Sequence, residues 1–175
     1  AKHLDGIVTF SNAETIFGEK TIRISNGIDF DAIPMKQSQN DTSHELHLIG
    51  VAEVHYWHGF DRMVNGMAEY YRTNPNYKVY FHIIGPLSGE REREEILPVV
   101  RNNHLEPYVI MHGPLHGEEL DIQFERADFA IGSLGRHRSG ITYIKTLKNR
   151  EYAARGFAFT YSEMDEDFDS MPYVW

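Results

Sequence analysis

The residues best suited to chemistry in this 175-residue chain fall in four short segments, three of them between an apolar run and a helix-like stretch. Glu53–Arg62 reads EVHYWHGFDR. A strand that ends there, followed by Gly59 and a helix, leaves N–H groups free to favour an anion. His58 and Arg62 are one helical turn apart and can add positive charge. An ordinary strand-to-helix turn packed on Trp57 accounts for the same residues. Gly85–Gly89 (GPLSG) has two glycines that let a backbone approach a ligand, or simply turn the chain. Gly132–Gly140 (GSLGRHRSG) gathers Ser133, Arg136, His137 and Arg138. Arginines can hold phosphate oxygens bidentately; a solvated basic loop is the competing reading. Thr146–Gly156 (TLKNREYAARG) sets Lys148 and Glu151 three apart, on one face of a helix. An ammonium in the first turns of that helix can reach a phosphate. A carboxylate there can accept two hydrogen bonds from vicinal hydroxyls such as those of a ribose. A surface Lys–Glu pair is the common alternative.

Other chemistries find less support. His55-x-x-His58 and His112-x-x-x-His116 have spacings a metal can use, but they fall in loops or at a strand end and lack the HExxH context, so no metal is expected. The chain has no cysteine, which removes thiolate nucleophiles, disulfides and cysteine-ligated zinc. No GxSxG occurs, and no carboxylate pair suits hydrolysis. Without a GxGxxG after an early strand, a dinucleotide cofactor is not expected either.

The elements that must position these segments alternate. Strands are expected at Gly6–Phe10, Lys20–Ile24, Leu46–Val54, Lys78–Gly85, Tyr108–Gly113, Asp128–Ser133 and Phe157–Tyr161. Helices are expected over residues 11–18 (capped by Ser11), 59–72, 89–103, 117–126 and 143–155. In the second, Phe60, Val64, Met67 and Tyr71 recur at i, i+4, i+7 and i+11, one apolar face. Pro98 is expected to kink the third. The turn at Asn26-Gly27 and the polar stretch 36–44 read as turn and linker. This alternation predicts an α/β fold, a doubly wound parallel sheet covered on both faces. Ligands in such sheets bind at the carboxyl ends of the strands, where the loops after Val54, Gly85, Gly113 and Ser133 lie.

Composition bounds the partners. Hydrophobic residues at 41% and charged residues at 25% suit a folded domain. A net charge of -9 repels nucleic acid and anionic membrane, whereas a small phosphate ligand needs only a few placed cations and amides. No apolar run is long enough to span a membrane, and the start lacks a signal peptide. A cytoplasmic location is expected, and the abrupt start reads as a fragment.

Taken in order, the segments resemble glycosyltransferase family 4, of GT-B fold, over nearly the whole chain. ISNGID (Ile24–Asp29) matches the family's Asn-Gly-Val/Ile-Asp turn before its linker. LIGVAEVHYWHG (Leu48–Gly59) matches the strand, Gly-Arg pair, loop and Lys-Gly that open its donor domain. HIIG to Gly85, IMHG to Gly113 and ADFAIGS to Ser133 follow in register. LKNREYAARG matches the family's Leu-Lys-x-x-Glu-Tyr-x-Ala-x-Gly helix.

The resemblance implies a Rossmann-like donor domain at 46–161, with residues 1–28 ending an acceptor-side domain, 29–45 a linker and 162–175 an acidic, aromatic tail. It implies a divergent bacterial branch whose members transfer a sugar from a nucleoside diphosphate to an acceptor hydroxyl of a glycan or lipid-linked glycan. Retention of configuration, no metal and a role in surface polysaccharide synthesis are further implications. Most of the acceptor domain, with the catalytic base and any membrane contact, would lie outside this chain, which is then expected to bind without turnover. Glu151 resembles the ribose-binding glutamate, and Lys148 a residue near the diphosphate. The backbone of Gly113–Leu115 would meet the base, and His58 takes the place of the phosphate-binding lysine. Glu53 stands where the family has arginine, and Tyr143 where it has the glutamate that touches the donor sugar. Arg62, Arg136 or Arg138 would supply the lost charge. Another sugar-nucleotide-binding α/β enzyme and a non-catalytic interaction domain of the same fold are the alternatives.

Overall fold

The computed structural model describes residues 4–175; the first three residues of the expected 1–28 segment lie outside it. Three strands near the amino end, β1 (Ile7–Thr9), β2 (Thr15–Ile16) and β3 (Glu19–Arg23), form a small sheet of order β1-β3-β2. A helix over residues 11–18 is not formed. Thr15 and Ile16 pair antiparallel with Glu19 and Lys20 across a turn in which Phe17 (φ 53°) and Gly18 (φ 84°) are both left-handed. Two consecutive left-handed residues match the twist of a hairpin and break a helix, and so short a segment has little apolar face to bury.

The main sheet contains β4 (Glu45–Val51), β5 (Lys78–Ile84), β6 (Val109–Gly113), β7 (Phe129–Ile131) and β8 (Ala158–Thr160). Its order is β6-β5-β4-β7-β8 and every pair is parallel. Four helices join the strands: α1 (Phe60–Arg72), α2 (Glu90–Asn102), α3 (Gly117–Arg126) and α4 (Leu147–Ala154). Neighbouring strand residues point to opposite faces, so Leu48 and Ile83 enter one core while Ile49 and Ile84 enter the other. The first core holds Phe60, Val64 and Met67 of α1 with Ile96 and Val100 of α2. The second holds Phe124 of α3, Tyr152 of α4, and Phe157, Phe159 and Phe168. Pro98 lies inside α2, which continues through it.

Two boundaries matter for the site. The last helix begins at Leu147 rather than Tyr143, because the Thr146 side chain accepts from the Asn149 N–H and caps it there. Residues before it run extended, and the Ile144 N–H donates to the Met164 carbonyl at 3.2 Å. The tail is part of the fold: Phe168 is buried, Val174 bridges to Phe159, and buried Arg150 pairs with buried Asp165 at 2.9 Å. Arg23 reaches Glu166 at 3.0 Å, tying the small sheet to that tail.

Three histidines form a ladder across β4, β5 and β6. His47 Nδ1 meets His82 Nε2 at 2.9 Å, and His82 Nδ1 meets His112 Nε2 at 2.9 Å. Thus His112 pairs across the sheet with His82. Burial, then the neighbouring His112 and His47, push His82 down to about 4. Its folded value lies below the unfolded 6.5, so the stability it carries is full above pH 6.5 and is lost as pH falls through 4. His82→Phe is expected to flatten the fall of melting temperature between pH 6.5 and 4 by the share of about one proton; an unchanged slope argues against a neutral His82.

Gly85 shows how tightly the strand ends pack. Its φ is 115°, and an added Cβ would lie 1.9 Å from the Ala52 carbonyl oxygen. Gly85→Ala is expected to cost about 3 kcal/mol or more, measured by denaturant unfolding.

Candidate functional site

The strand order reverses between β4 and β7, so the crevice outside their carboxyl ends is the switch point where ligands bind in such sheets. The loop after β4, the loop after β7, the start of α4 and the residues after β8 meet there. Two of these loops touch backbone to backbone. Gly59 has φ 66°, and a Cβ on it would lie 2.6 Å from Gly135 N and 2.7 Å from the Leu134 carbonyl carbon. The Leu134 N–H donates to the His58 carbonyl at 2.8 Å.

Side chains clamp the same junction. Arg138 donates to both carboxylate oxygens of Asp61, at 2.7 and 2.8 Å, and to the Tyr56 carbonyl at 3.0 Å. Arg62 donates to the Leu134 carbonyl. Arg62 and Arg138 are therefore engaged by the protein itself. Their reach to the opposite loop, and the partner Asp61, were not legible in a basic loop read on its own.

Behind the clamp lies a cluster of polar side chains. Lys148 is the second residue of α4, and its ammonium donates to Ser133 Oγ at 3.2 Å; Ser133 is fully buried. Burial pushes Lys148 down to about 7; Arg136 adds to the depression and Glu163 opposes it. His58 Nδ1 accepts the His55 N–H at 2.9 Å, which places the ring proton on Nε2. Burial, then Lys148, Arg136 and His55, push His58 down to about 2. It is a neutral donor, not the cation its place in the sequence suggested.

Glu163 and Asn149 complete the cluster. Glu163 is 5% exposed and Asn149 is fully buried. Asn149 Nδ2 donates to Glu163 Oε1 at 3.3 Å. Burial raises the Glu163 carboxyl, against its own backbone N–H and the nearby Lys148 and Arg136. Among the described residues, the buried side-chain atoms without a hydrogen-bond partner are Glu163 Oε2, Asn149 Oδ1 and Arg136 Nε, all in this cluster. The guanidinium carbon of Arg136 also lies 5.8 Å from the centre of the Trp57 ring. Glu163 sits in the acidic run SEMDED at the start of the acidic, aromatic tail, in which the sequence marks no site residue, and Asn149 carries no motif of its own.

The remaining sequence candidates lie around this centre. Glu151 faces Arg155, whose Nε and Nη2 both reach Glu151 Oε1 at 2.9 Å, while Arg155 also pairs with Asp121 of α3 at 2.7 Å. Gly85 N–H donates to the Gly113 carbonyl at 2.7 Å, and Gly113 (φ 72°) has open space on its Cβ side. Leu115 is half-buried against the second core. Glu53 accepts from Ser88 Oγ at 3.0 Å, and Tyr143 accepts from Arg23 at 3.1 Å. Among the described residues, no three His, Asp or Glu side chains converge as metal ligands, and no helix is long and apolar enough to cross a membrane.

No protein-family profile matches the sequence, and no curated protein matches it. Solved structures do. Sucrose-phosphate synthase from Thermosynechococcus elongatus superposes with a TM-score of 0.58 at 17% identity over 82% of this chain. The C-terminal domain of a glycosyl transferase group 1 family protein (LpcC) from Francisella tularensis gives 0.53 at 13% identity over 77%. The pneumococcal O-GlcNAc transferase GtfA, solved with UDP and GlcNAc, gives 0.55 at 15% identity over 91%. The chain spans 35% of the first structure, 70% of the isolated domain and 30% of the third. The fold is a Rossmann-like α/β domain, a doubly wound parallel sheet, of the kind these GT-B structures contain.

The depressed Lys148 has a signed consequence. From about 7 to 10.5 the unfolded chain holds a proton there that the folded chain lacks, so stability rises with pH across that window, and the full penalty stands below 7. Lys148→Met is expected to stabilise the chain by roughly 1–3 kcal/mol below pH 7 and by nothing above pH 10.5. Thermal melts at pH 6 and pH 10.5 test this; destabilisation at pH 6 contradicts a strained, buried ammonium.

Proposed function

We propose that this domain binds the nucleotide-sugar donor of a glycosyltransferase, which moves the sugar from a nucleoside diphosphate to a hydroxyl of a glycan or lipid-linked glycan. The observation that carries this reading is Lys148, set in the first turn of α4 at the switch point with its ammonium on buried Ser133 Oγ at 3.2 Å, where burial also lowers its proton affinity. A diphosphate arriving there raises the lysine's proton affinity and meets the N–H groups of the helix start. Neutral His58, with its Nε2–H, and Arg136 add donors at the same place. Such preorganised donors stabilise the charge that builds on a leaving diphosphate, and no metal is required for that.

The rest of the donor follows from the resemblance. Gly113 and Leu115 offer backbone to the base, and Glu151 offers a carboxylate to the ribose, with Arg155 holding one oxygen in place. Gly59 and Gly85 contribute close backbone packing beneath the diphosphate. Membership of family 4 in a bacterial branch, retention of configuration, cytoplasmic location and a role in surface polysaccharide synthesis belong to this proposal. So does the need for an acceptor-side domain to supply the base for turnover. GtfA, solved with UDP and GlcNAc, supports a nucleotide-sugar ligand for the shared fold. The engagement of Arg62, Arg138 and Glu151 by protein partners favours the second reading, an interaction domain of the same fold.

Calorimetry with UDP, GDP and ADP separates the two. One diphosphate is expected to bind with uptake of up to about one proton at pH 7.5–8, seen as a dependence of heat on buffer ionisation enthalpy. Lys148→Ala is expected to weaken it about tenfold or more and to abolish the proton uptake. Glu151→Ala is expected to weaken it to a smaller extent. No heat with any of the three at millimolar concentration removes the donor-site reading and supports the interaction domain.

A further inference from the structure

We propose that Glu163 reads the sugar of the donor, its Oε2 accepting a hydrogen bond from a sugar hydroxyl while Asn149 holds Oε1. The inference rests on the donor-site reading and assigns to this residue the contact that Tyr143 cannot make. Three observations lead to it. A carboxylate oxygen and a carboxamide oxygen, both on side chains at least nine-tenths buried, have no partner in the chain. Orphan acceptors in such surroundings cost more than a typical neutral hydrogen bond contributes, and native folds rarely keep them.

The orphan set also has a chemical signature. Glu163 Oε2 and Asn149 Oδ1 are acceptors, and Arg136 Nε–H is a donor. A phosphate offers acceptor oxygens only at neutral pH and is repelled by a carboxylate. A polyol offers donors and acceptors on adjacent carbons and can satisfy all three. The order along the fold agrees. Lys148 and Asn149 are the second and third residues of α4, and Asn149 bridges to Glu163 just beyond the end of β8. A diphosphate on Lys148 therefore has Glu163 one residue's reach away, within range of the sugar it carries.

The test compares each diphosphate with its sugar ester on the unmutated chain and on Glu163→Gln: UDP with UDP-glucose and UDP-galactose, GDP with GDP-mannose, ADP with ADP-glucose. At least one ester is expected to bind more tightly than its parent diphosphate. Glu163→Gln is expected to remove that surplus, a loss of about tenfold, while parent diphosphate affinity stays within about twofold. Glu163→Asp, which keeps the charge and withdraws it by one methylene, is expected to lose the surplus too and guards against a folding defect in the first variant. A surplus untouched by both substitutions overturns the inference and leaves the donor site standing. Equal loss for diphosphate and ester overturns it as well, making Glu163 a support for Lys148. Absence of diphosphate binding in the unmutated chain removes the donor-site reading and this inference with it.

Discussion

Lys148 sets its ammonium, partly buried, against one neutral hydroxyl, Ser133 Oγ, in the first turn of α4. Taking a charge from water is costly unless an opposite charge or several hydrogen bonds replace the lost solvation. Here the replacement is incomplete, and proton affinity drops until the lysine is balanced near neutral pH. The state of the neighbours follows from that balance. His58 is held neutral by burial and by the nearby positive charge, so it can only donate from Nε2. Glu163 is raised by burial even though two cations lie near it. The cluster is thus electrostatically unsettled, and an anion on the lysine side with hydroxyls on the carboxylate side would settle it.

Holding such a cluster requires rigid walls, and the sheet supplies them through contacts that tolerate no extra atom. The backbones of the loops after β4 and β7 meet at Gly59 and Gly135, closer than a Cβ allows. The bidentate Arg138–Asp61 pair and the Arg62 contact to Leu134 fix one loop to the other. A guanidinium forked onto a carboxylate sets orientation as well as distance. These arginines act on the site by shaping it. The positive charge left over at the switch point is that of Lys148 and Arg136.

The chain covers only part of the length of the enzymes it superposes on, and the small sheet of β1, β2 and β3 stands outside the main one. Arg23, Tyr143, Glu166 and Lys145 link that sheet, the segment before α4 and the tail through ion pairs and hydrogen bonds. The tail is consequently fixed at both ends of its course: Arg23 holds Glu166, while Phe168 and Val174 pack on β8. That anchoring is what brings Glu163 to the carboxyl rim of the sheet.

Periodicity was enough to read the main architecture. Apolar runs such as Leu46–Val54 and Lys78–Gly85, separated by amphipathic stretches, leave a parallel sheet with two covered faces as the arrangement that buries them. The four α-helices and five parallel strands follow from it to within a few residues, and so does the placement of Gly59, Ser133 and Arg136 between elements at the rim and of Lys148 in the first turns of the last helix. Local pattern failed where the deciding contact was distant. Residues 11–18 have a helix-like cap but pair as a hairpin with β3. Arg138 reads as a free cation until Asp61, in the first turn of α1, occupies it. Glu163 is one acid among several in an acidic tail until the tail folds back and buries it beside Asn149. Hydrophobic period is a property of neighbours in sequence, whereas proton affinity and hydrogen-bond saturation depend on atoms brought together from distant parts of the chain, so the sequence determined the sheet and its rim loops, and only the tertiary structure decided which rim side chains are left unsatisfied.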